Sequence, residues 1–442
     1  MRRNLVRVVI LGFVLAAFGG LPTAARAAVS APAYGVEDLG TLAGDYASAA
    51  MGINRFGDVV GWSMGPNGTR AFMYTDAAGM TALPAPDSRP VTTARAVSDT
   101  GTVVGNASLP PGSADIGHAV QWQSGVVSDL GTLGTGLFSD ARGVNAAGVT
   151  VGHSYTDGGS LLGIHAFRYD VASGLFDLTP ATDSAVAEGI NDAGQVAGSR
   201  NGRAFRLTGT TLTDLGVAAG FASSFGAAIN SSGQVAGHVT SSSGNSEQIF
   251  RYTDGAGMVI LGGYGEWNRA FGINTAGDVV GWGQPVLGSQ QGFLYTDAGG
   301  MQGLNALVDP AAGWFVLGAG AINDVGQIAA WASGATGQHA VRLTPTSAMA
   351  APAAPSGLAG SVLSPARVRL IWTDNANNEV GFRIERALGA RGEFAFLANA
   401  GANATNYLDS TVKPGRVYRY RVQAHNAAGP SAWSNTVTVK KA

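Results

Sequence analysis

Cysteine is absent from all 442 residues, which excludes a disulfide framework and any thiolate metal site. Lysine is almost absent too, being confined to Lys413, Lys440 and Lys441 near the C-terminal end. Charged residues amount to 13% and the net charge is −2, so no basic face exists to neutralise nucleic-acid phosphates. No Gly-X-Y period accompanies the 66 glycines, which excludes collagen. No H-E-x-x-H, G-x-S-x-G or P-loop pattern occurs, and neither a metal nor a cofactor is expected. Hydrophobic residues make up an ordinary 45%, enough for two or three domains with real cores. Such a mix suits many short strands joined by tight turns.

One long apolar run does occur, and it opens the chain. Arg2, Arg3 and Arg7 precede "VVILGFVLAAFGGL", and "PTAARA" then ends in the small-x-small site Ala25-Arg26-Ala27. Residues 1–27 therefore read as a secretory signal peptide cleaved after Ala27. An uncleaved anchor is the alternative, but the apolar core falls short of the ~20 residues of a spanning helix. Export to the extracellular space is expected, with the periplasm as the other destination.

From residue 50 onward one phrase keeps returning. "GINRFGDVVGW" starts at Gly52 and "GINTAGDVVGW" at Gly272. The looser pattern small-x-(Ile/Val)-Asn-x-x-Gly recurs every ~40–50 residues, a period of blades or solenoid coils. Its Asn positions are Asn54, Asn145, Asn191, Asn230, Asn274 and Asn323, with Ser98 standing in once. The matching glycines are Gly57, Gly101, Gly148, Gly194, Gly233, Gly277 and Gly326, which makes seven copies. Asn, Asp or Ser opens a type I turn by bonding the backbone two residues on, and glycine then takes the left-handed position. The Asn is accordingly read as a hairpin device rather than a ligand contact.

Each copy continues into a short strand, such as "RAFMYT" at Arg70, "HAFRYD" at His165 or "HAVRLT" at His339, and several add a turn and a last strand. Alternation at period two gives four antiparallel strands per copy. The seventh copy lacks its fourth strand, while an orphan "YGVEDLGTLAG" (Tyr34 to Gly44) precedes the first. An N-terminal strand that completes the last blade would leave no open sheet edge. The expected fold is thus all-β: a seven-bladed β-propeller over 34–345 closed by an N-terminal strand. An open solenoid would instead need capping units. "GINxxGxVVG…HAF", literal at His165-Ala166-Phe167, resembles the HAF-repeat family of probable extracellular bacterial proteins. That resemblance implies export and repetition and transfers no catalytic residue.

A Pro/Ala stretch over 346–356 reads as a linker. Residues 357–442 resemble a fibronectin type III domain, with Trp372 as its buried tryptophan and Tyr418 and Tyr420 in "YRYRVQAHNAAGPSAWS". Strand alternation alone gives a small β-sandwich. The resemblance implies a spacer or weak binding module, and "RGE" at Arg391 is read as a turn.

Candidate site residues come from positions where the copies differ. The residue after "GxVxG" is Trp62, Asn106, His153, Ser199, His238, Trp282 or Trp331. Copies six, seven and one are neighbours in a closed ring, so Trp282, Trp331 and Trp62 would form one aromatic sector suited to sugars, extended by Trp267 or Trp314. The bland alternative is that these rings fill space between blades. Three residues before the Asn stand Met51, Arg95, Arg142, Glu188, Ala227, Phe271 and Gly320. Arg95, Arg142 and Glu188 fall on consecutive blades, where they could meet near the axis, and an inter-blade ion network is the expected role. Catalysis would need a second carboxylate, for which Asp140 and Glu266 are the candidates. Histidines at one repeat position (His118, His165, His339) read as structural, and the Asp of the "YTDAAGM" turns as turn formers, too few in oxygens for Ca²⁺.

The functional expectation is an exported, non-catalytic binding protein for extracellular or envelope polysaccharide or a surface protein. A carbohydrate-active hydrolase or lyase, or a structural surface protein, are the alternatives, since the fold alone cannot decide.

Overall fold

The computed structural model describes residues 33–109, 117–157, 163–180, 184–286, 288–346, 352–364, 366–376, 379, 381–401, 403–426 and 429–440. The expected signal peptide, 1–27, and residues 347–351 of the expected linker lie outside them. Among the described residues regular structure is strand throughout, apart from two 3₁₀ turns, Leu304–Ala306 and Pro310–Ala312. Among the described residues no helix is long and apolar enough to cross a membrane.

Residues 34–345 build seven antiparallel four-stranded sheets. Six take their strands in chain order: sheet 1 is Ala47–Ile53, Val59–Gly65, Gly68–Thr75 and Gly79–Ala82, and the strands of sheets 2 to 6 fall within 91–131, 139–177, 185–216, 221–262 and 268–303. Sheet 7 takes Phe315–Ile322, Ile328–Gly334 and Gly337–Pro345, and its fourth strand is Tyr34–Gly40 from the start of the chain.

The first hairpin of every sheet turns at the repeated Asn, or at Ser98 in its place. In sheet 1 the Gly57 N–H donates to the Asn54 carbonyl at 3.1 Å. The Asn54 side-chain oxygen accepts from the Phe56 and Asp58 N–H groups, each at 3.0 Å. All seven turn glycines have φ between 76° and 86°, where a Cβ would be strained.

The later "G…HAF" spacing has a packing cause. Gly152 pairs with Phe167 of the next strand, and a Cβ on Gly152 would overlap the Asp140 carbonyl and press on the Phe167 ring. Gly61 and Phe72, and Gly237 and Phe250, repeat this arrangement. In sheet 7 the glycine is replaced by Ala330, and the residue opposite shrinks to Val341. These Phe side chains are fully buried, so their loss would cost about 3–5 kcal/mol each.

Neighbouring sheets are joined by side chains that reach one repeat forward. The Asn Nδ2 donates to the carbonyl of the next repeat's Asn or its stand-in: Asn54 to Ser98 (3.4 Å), Asn145 to Asn191 (3.3 Å), Asn191 to Asn230 (2.9 Å) and Asn230 to Asn274 (2.8 Å). Ser98 has no amide, and Thr100 Oγ1 bridges to the Ala146 carbonyl instead at 3.1 Å. The Asn is therefore more than the hairpin device expected from sequence. A second link uses the Arg of the third strand. Arg206 donates to the Gly233 carbonyl and pairs with Asp254 at 2.8 Å. Arg251 treats Gly277 and Asp297 in the same way. The Asp of each "TD" turn is thus an acceptor for the preceding repeat.

The same links run from sheet 7 to sheet 1. Asn323 Nδ2 donates to the Asn54 carbonyl at 3.0 Å. Arg342 donates to the Gly57 carbonyl at 2.8 Å, and pairs with Asp76 at 2.6 Å and with Glu37 of the N-terminal strand at 2.7 Å. Ser48 Oγ accepts from the Ala340 N–H and donates to the Gly40 carbonyl.

The C-terminal residues form a separate β-sandwich of a three-stranded and a five-stranded sheet. Trp372, Phe382, Tyr418 and Tyr420 share its core. The Tyr420 hydroxyl donates to Asp409 at 2.9 Å, and that fully buried carboxylate also takes Arg386 at 2.7 Å.

Arg342 is buried and makes four hydrogen bonds to three acceptors from three segments, whereas Arg168 at the equivalent place is exposed and meets Asp170 of its own sheet. Arg342→Ala should lower unfolding stability by about 2–3 kcal/mol, discounted because its acceptors are partly solvated. Arg168→Ala should change little. Urea unfolding of both variants checks the contrast.

Candidate functional site

The first strand of every sheet carries a β-bulge at one place. Pairing skips from Ala50 to Gly52, from Ala94 to Ala96 and from Ala141 to Gly143, and likewise in the other four. The skipped residues are Met51, Arg95, Arg142, Glu188, Ala227, Phe271 and Gly320. A bulge re-aims its extra side chain. All seven border one cavity of about 330 Å³. Ile53, Val97, Val144, Ile190 and Ile229 separate it from a second cavity of about 210 Å³ beside the Asn turns, which residues from all seven sheets also line.

The charged members meet as the ion network expected from sequence. Asp140, two residues before the bulge, is 2% exposed and serves two arginines. Arg95 Nη2 lies 3.4 Å and Arg142 Nε 3.0 Å from its Oδ2. Arg142 Nη1 stands 3.8 Å from Glu188. Burial pushes the Glu188 carboxyl above its usual range, against the pull of Arg142. Asp140 supports the arginines from beneath and does not line the cavity; nor does Glu266, which lies in the loop before sheet 6. His153 pairs with Asp140 across the hairpin. Its burial, reinforced by Arg142, lowers its pKa to about 4.

The three tryptophans are placed differently. Trp62 shares a face with Val60, which packs on Ala94 and Val97 of sheet 2. Trp282 shares one with Val280, packed on Val316 of sheet 7, and Trp331 with Ala329, packed on Val59 of sheet 1. Each ring is half-buried on a face turned to the following sheet, and Trp331 lies over Gly318 of its own sheet. Among the described residues no ring contact joins the three. Trp314, meanwhile, packs on His339 at 5.4 Å.

The repeated histidines clip the third strand to the fourth. His118 meets Asp129 at 2.9 Å, His165 meets Asp177 at 2.7 Å and His339 meets Asp38 at 2.9 Å; Arg203 and Asp214 replace the pair in sheet 4. Among the described residues no group of three or more His, Asp or Glu could hold a metal ion.

No family model matches the chain, and no curated protein matches it. Solved structures similar to part of it include one titled "Myokine structure", 20% identical, covering 21% of this chain and 98% of that one at a TM-score of 0.19. An Fn3-like protein from Clostridium thermocellum is 26% identical over 21% of this chain and 96% of its own, at a TM-score of 0.19. The fn3 domain of human collagen alpha-1(XX) is 20% identical over 22% of this chain and 91% of its own, again at 0.19.

His153 supplies a pH test. Its folded pKa of about 4 lies below the unfolded value of 6.5. The unfolded chain therefore takes up the proton first, and stability falls as pH drops from 6.5 towards 4. The full loss is about 3 kcal/mol. His153→Gln should remove that much of the wild-type decline, read as the difference between their denaturation curves at pH 7 and pH 4.

Proposed function

We propose that this chain is an exported, non-catalytic binding protein built on a closed seven-bladed β-propeller of the HAF-repeat kind. Its axial cavity is the ligand site, and a fibronectin type III-like module spaces or anchors it. What supports closure is the run of identical links from sheet 7 to sheet 1, together with the shared fourth strand. The observation that carries the binding reading is the bulge. Its backbone geometry recurs in all seven sheets while its side chain changes from Met to Arg, Glu, Ala, Phe and Gly. A frame held constant around residues free to vary is what a recognition surface needs. The partner is extracellular or envelope polysaccharide or a surface protein, met outside the cell or in the periplasm. Trp62, Trp282 and Trp331 remain a second candidate surface, though half-burial between sheets suits a packing role better.

One observation favours the hydrolase or lyase alternative: Arg95, Arg142, Glu188, Asp140 and His153 gather on one side of the axis. Hydrolysis of a glycosidic bond uses two carboxylates flanking the substrate. Here, among the described residues, Glu188 is the one acidic residue that lines the cavity, and Asp140 is buried behind the arginines.

The test is binding of the purified chain to an array of microbial and plant glycans. Ala227→Phe, which fills the cavity from its uncharged side, and a Trp62→Ala/Trp282→Ala/Trp331→Ala variant run beside it. Binding lost in Ala227→Phe and kept in the triple variant is the expected result. The reverse pattern would move the site to the tryptophans, and binding by neither the wild type nor any variant would contradict the reading.

A further inference from the structure

The axial cavity is polar on one side and apolar on the other. Arg95, Arg142 and Glu188 come from consecutive sheets 2, 3 and 4, while Met51, Ala227 and Phe271 come from sheets 1, 5 and 6. The cationic side is under-neutralised from below. Two guanidiniums share one carboxylate, Asp140, through a single oxygen, Oδ2. The other oxygen, Oδ1, is buried without a hydrogen-bond partner, as are the Nε groups of both arginines. Arg142 Nε lies close to Oδ2 without the alignment of a hydrogen bond. Glu188 stands 3.8 Å from Arg142, beyond hydrogen-bond reach, so it uses none of that guanidinium's donors. Each guanidinium offers five N–H donors in a planar fork that matches a carboxylate, and among the described residues the one hydrogen bond either makes is Arg95 Nη2 to Asp140 at 3.4 Å. Across the axis Phe271 is 38% exposed, an aromatic face uncovered at a place where the chain could have put any residue. Apolar pockets with a few convergent polar groups are the usual form of small-molecule sites, and about 330 Å³ is at the small end of their range.

Resting on the axial-site reading above, we propose that this cavity binds a single carboxylate-bearing ring the size of one sugar. Arg95 and Arg142 receive the carboxylate, and Phe271 and Met51 support the ring's apolar face. A uronic acid unit of an acidic polysaccharide and a free alicyclic acid share this chemistry. Bidentate charge-assisted bonds supply selectivity for the anion, while the ring contact is tolerant of the substituents around it.

Titration calorimetry of the full chain with glucuronate, cyclohexanecarboxylate and glucose tests the assignment without any variant. Glucuronate should bind at least about tenfold more tightly than glucose, the difference one charge-assisted contact supplies. Cyclohexanecarboxylate binding as well as glucuronate identifies a free apolar acid as the source, and weaker binding identifies the sugar acid. Ala227→Phe should abolish binding of either acid, and Arg95→Gln should weaken it about tenfold or more. Glucose bound as tightly as glucuronate, with both lost in Ala227→Phe, would overturn the carboxylate assignment and leave the axial site standing. Acid binding unchanged by Ala227→Phe, or no binding of any probe, would overturn both.

Discussion

Everything in the repeat region hangs on one buried side chain, the asparagine of the first turn. Its oxygen caps the hairpin of its own sheet, as Asn54 does for Phe56 and Asp58. In five repeats its amide nitrogen satisfies the next sheet's turn carbonyl, and Asn323 carries the series back to Asn54. Buried polar groups left without partners are costly, so each sheet needs its neighbour at a fixed distance and rotation. The Arg latches reinforce the same spacing, Arg206, Arg251 and Arg342 each reaching one repeat forward. Neither link depends on a large hydrophobic core, which suits a chain whose first strands place Ala or Gly on both sides of every bulge.

Once turn and latch hold the frame, the bulge three residues before the Asn is free. Its residue borders the same cavity in every sheet, and nothing in the hairpin constrains which side chain it carries. That freedom explains how arginine, glutamate, phenylalanine and glycine occupy equivalent places around one cavity. It also accounts for the expense at Asp140, a buried carboxylate with an unpartnered oxygen. Fold stability alone gives no reason for such a group; holding two arginines at a cavity wall does.

Much of the architecture was legible in the residues because turn chemistry is local. The Asn-x-x-Gly spacing located seven hairpins, and the orphan Tyr34 strand matched the missing edge of the seventh sheet. Trp372, Tyr418 and Tyr420 sit in the sandwich core where the sequence put them. What escaped was geometry between repeats. The amide of Asn54 and its acceptor, like Arg206 and its partner Asp254, lie about one repeat apart, and no local pattern announces them. The bulge left no signature because its residue type is unrestricted. The period found Trp62, Trp282 and Trp331, but strand alternation, which decides the face, turned each towards the following sheet.

The absence of cysteine makes the decisive measurement simple, since any disulfide in a double variant can have one origin. Gly35 and Thr344 are Cα partners across the closing pair, and both are exposed. A Gly35→Cys/Thr344→Cys chain, oxidised when dilute, should form an intramolecular 35–344 disulfide identifiable by peptide mapping. Closing so long a loop should also stabilise the chain by about 5 kcal/mol on the chain-entropy model. Thiols that stay free, or that pair only between molecules, would contradict a ring closed by its N-terminal strand.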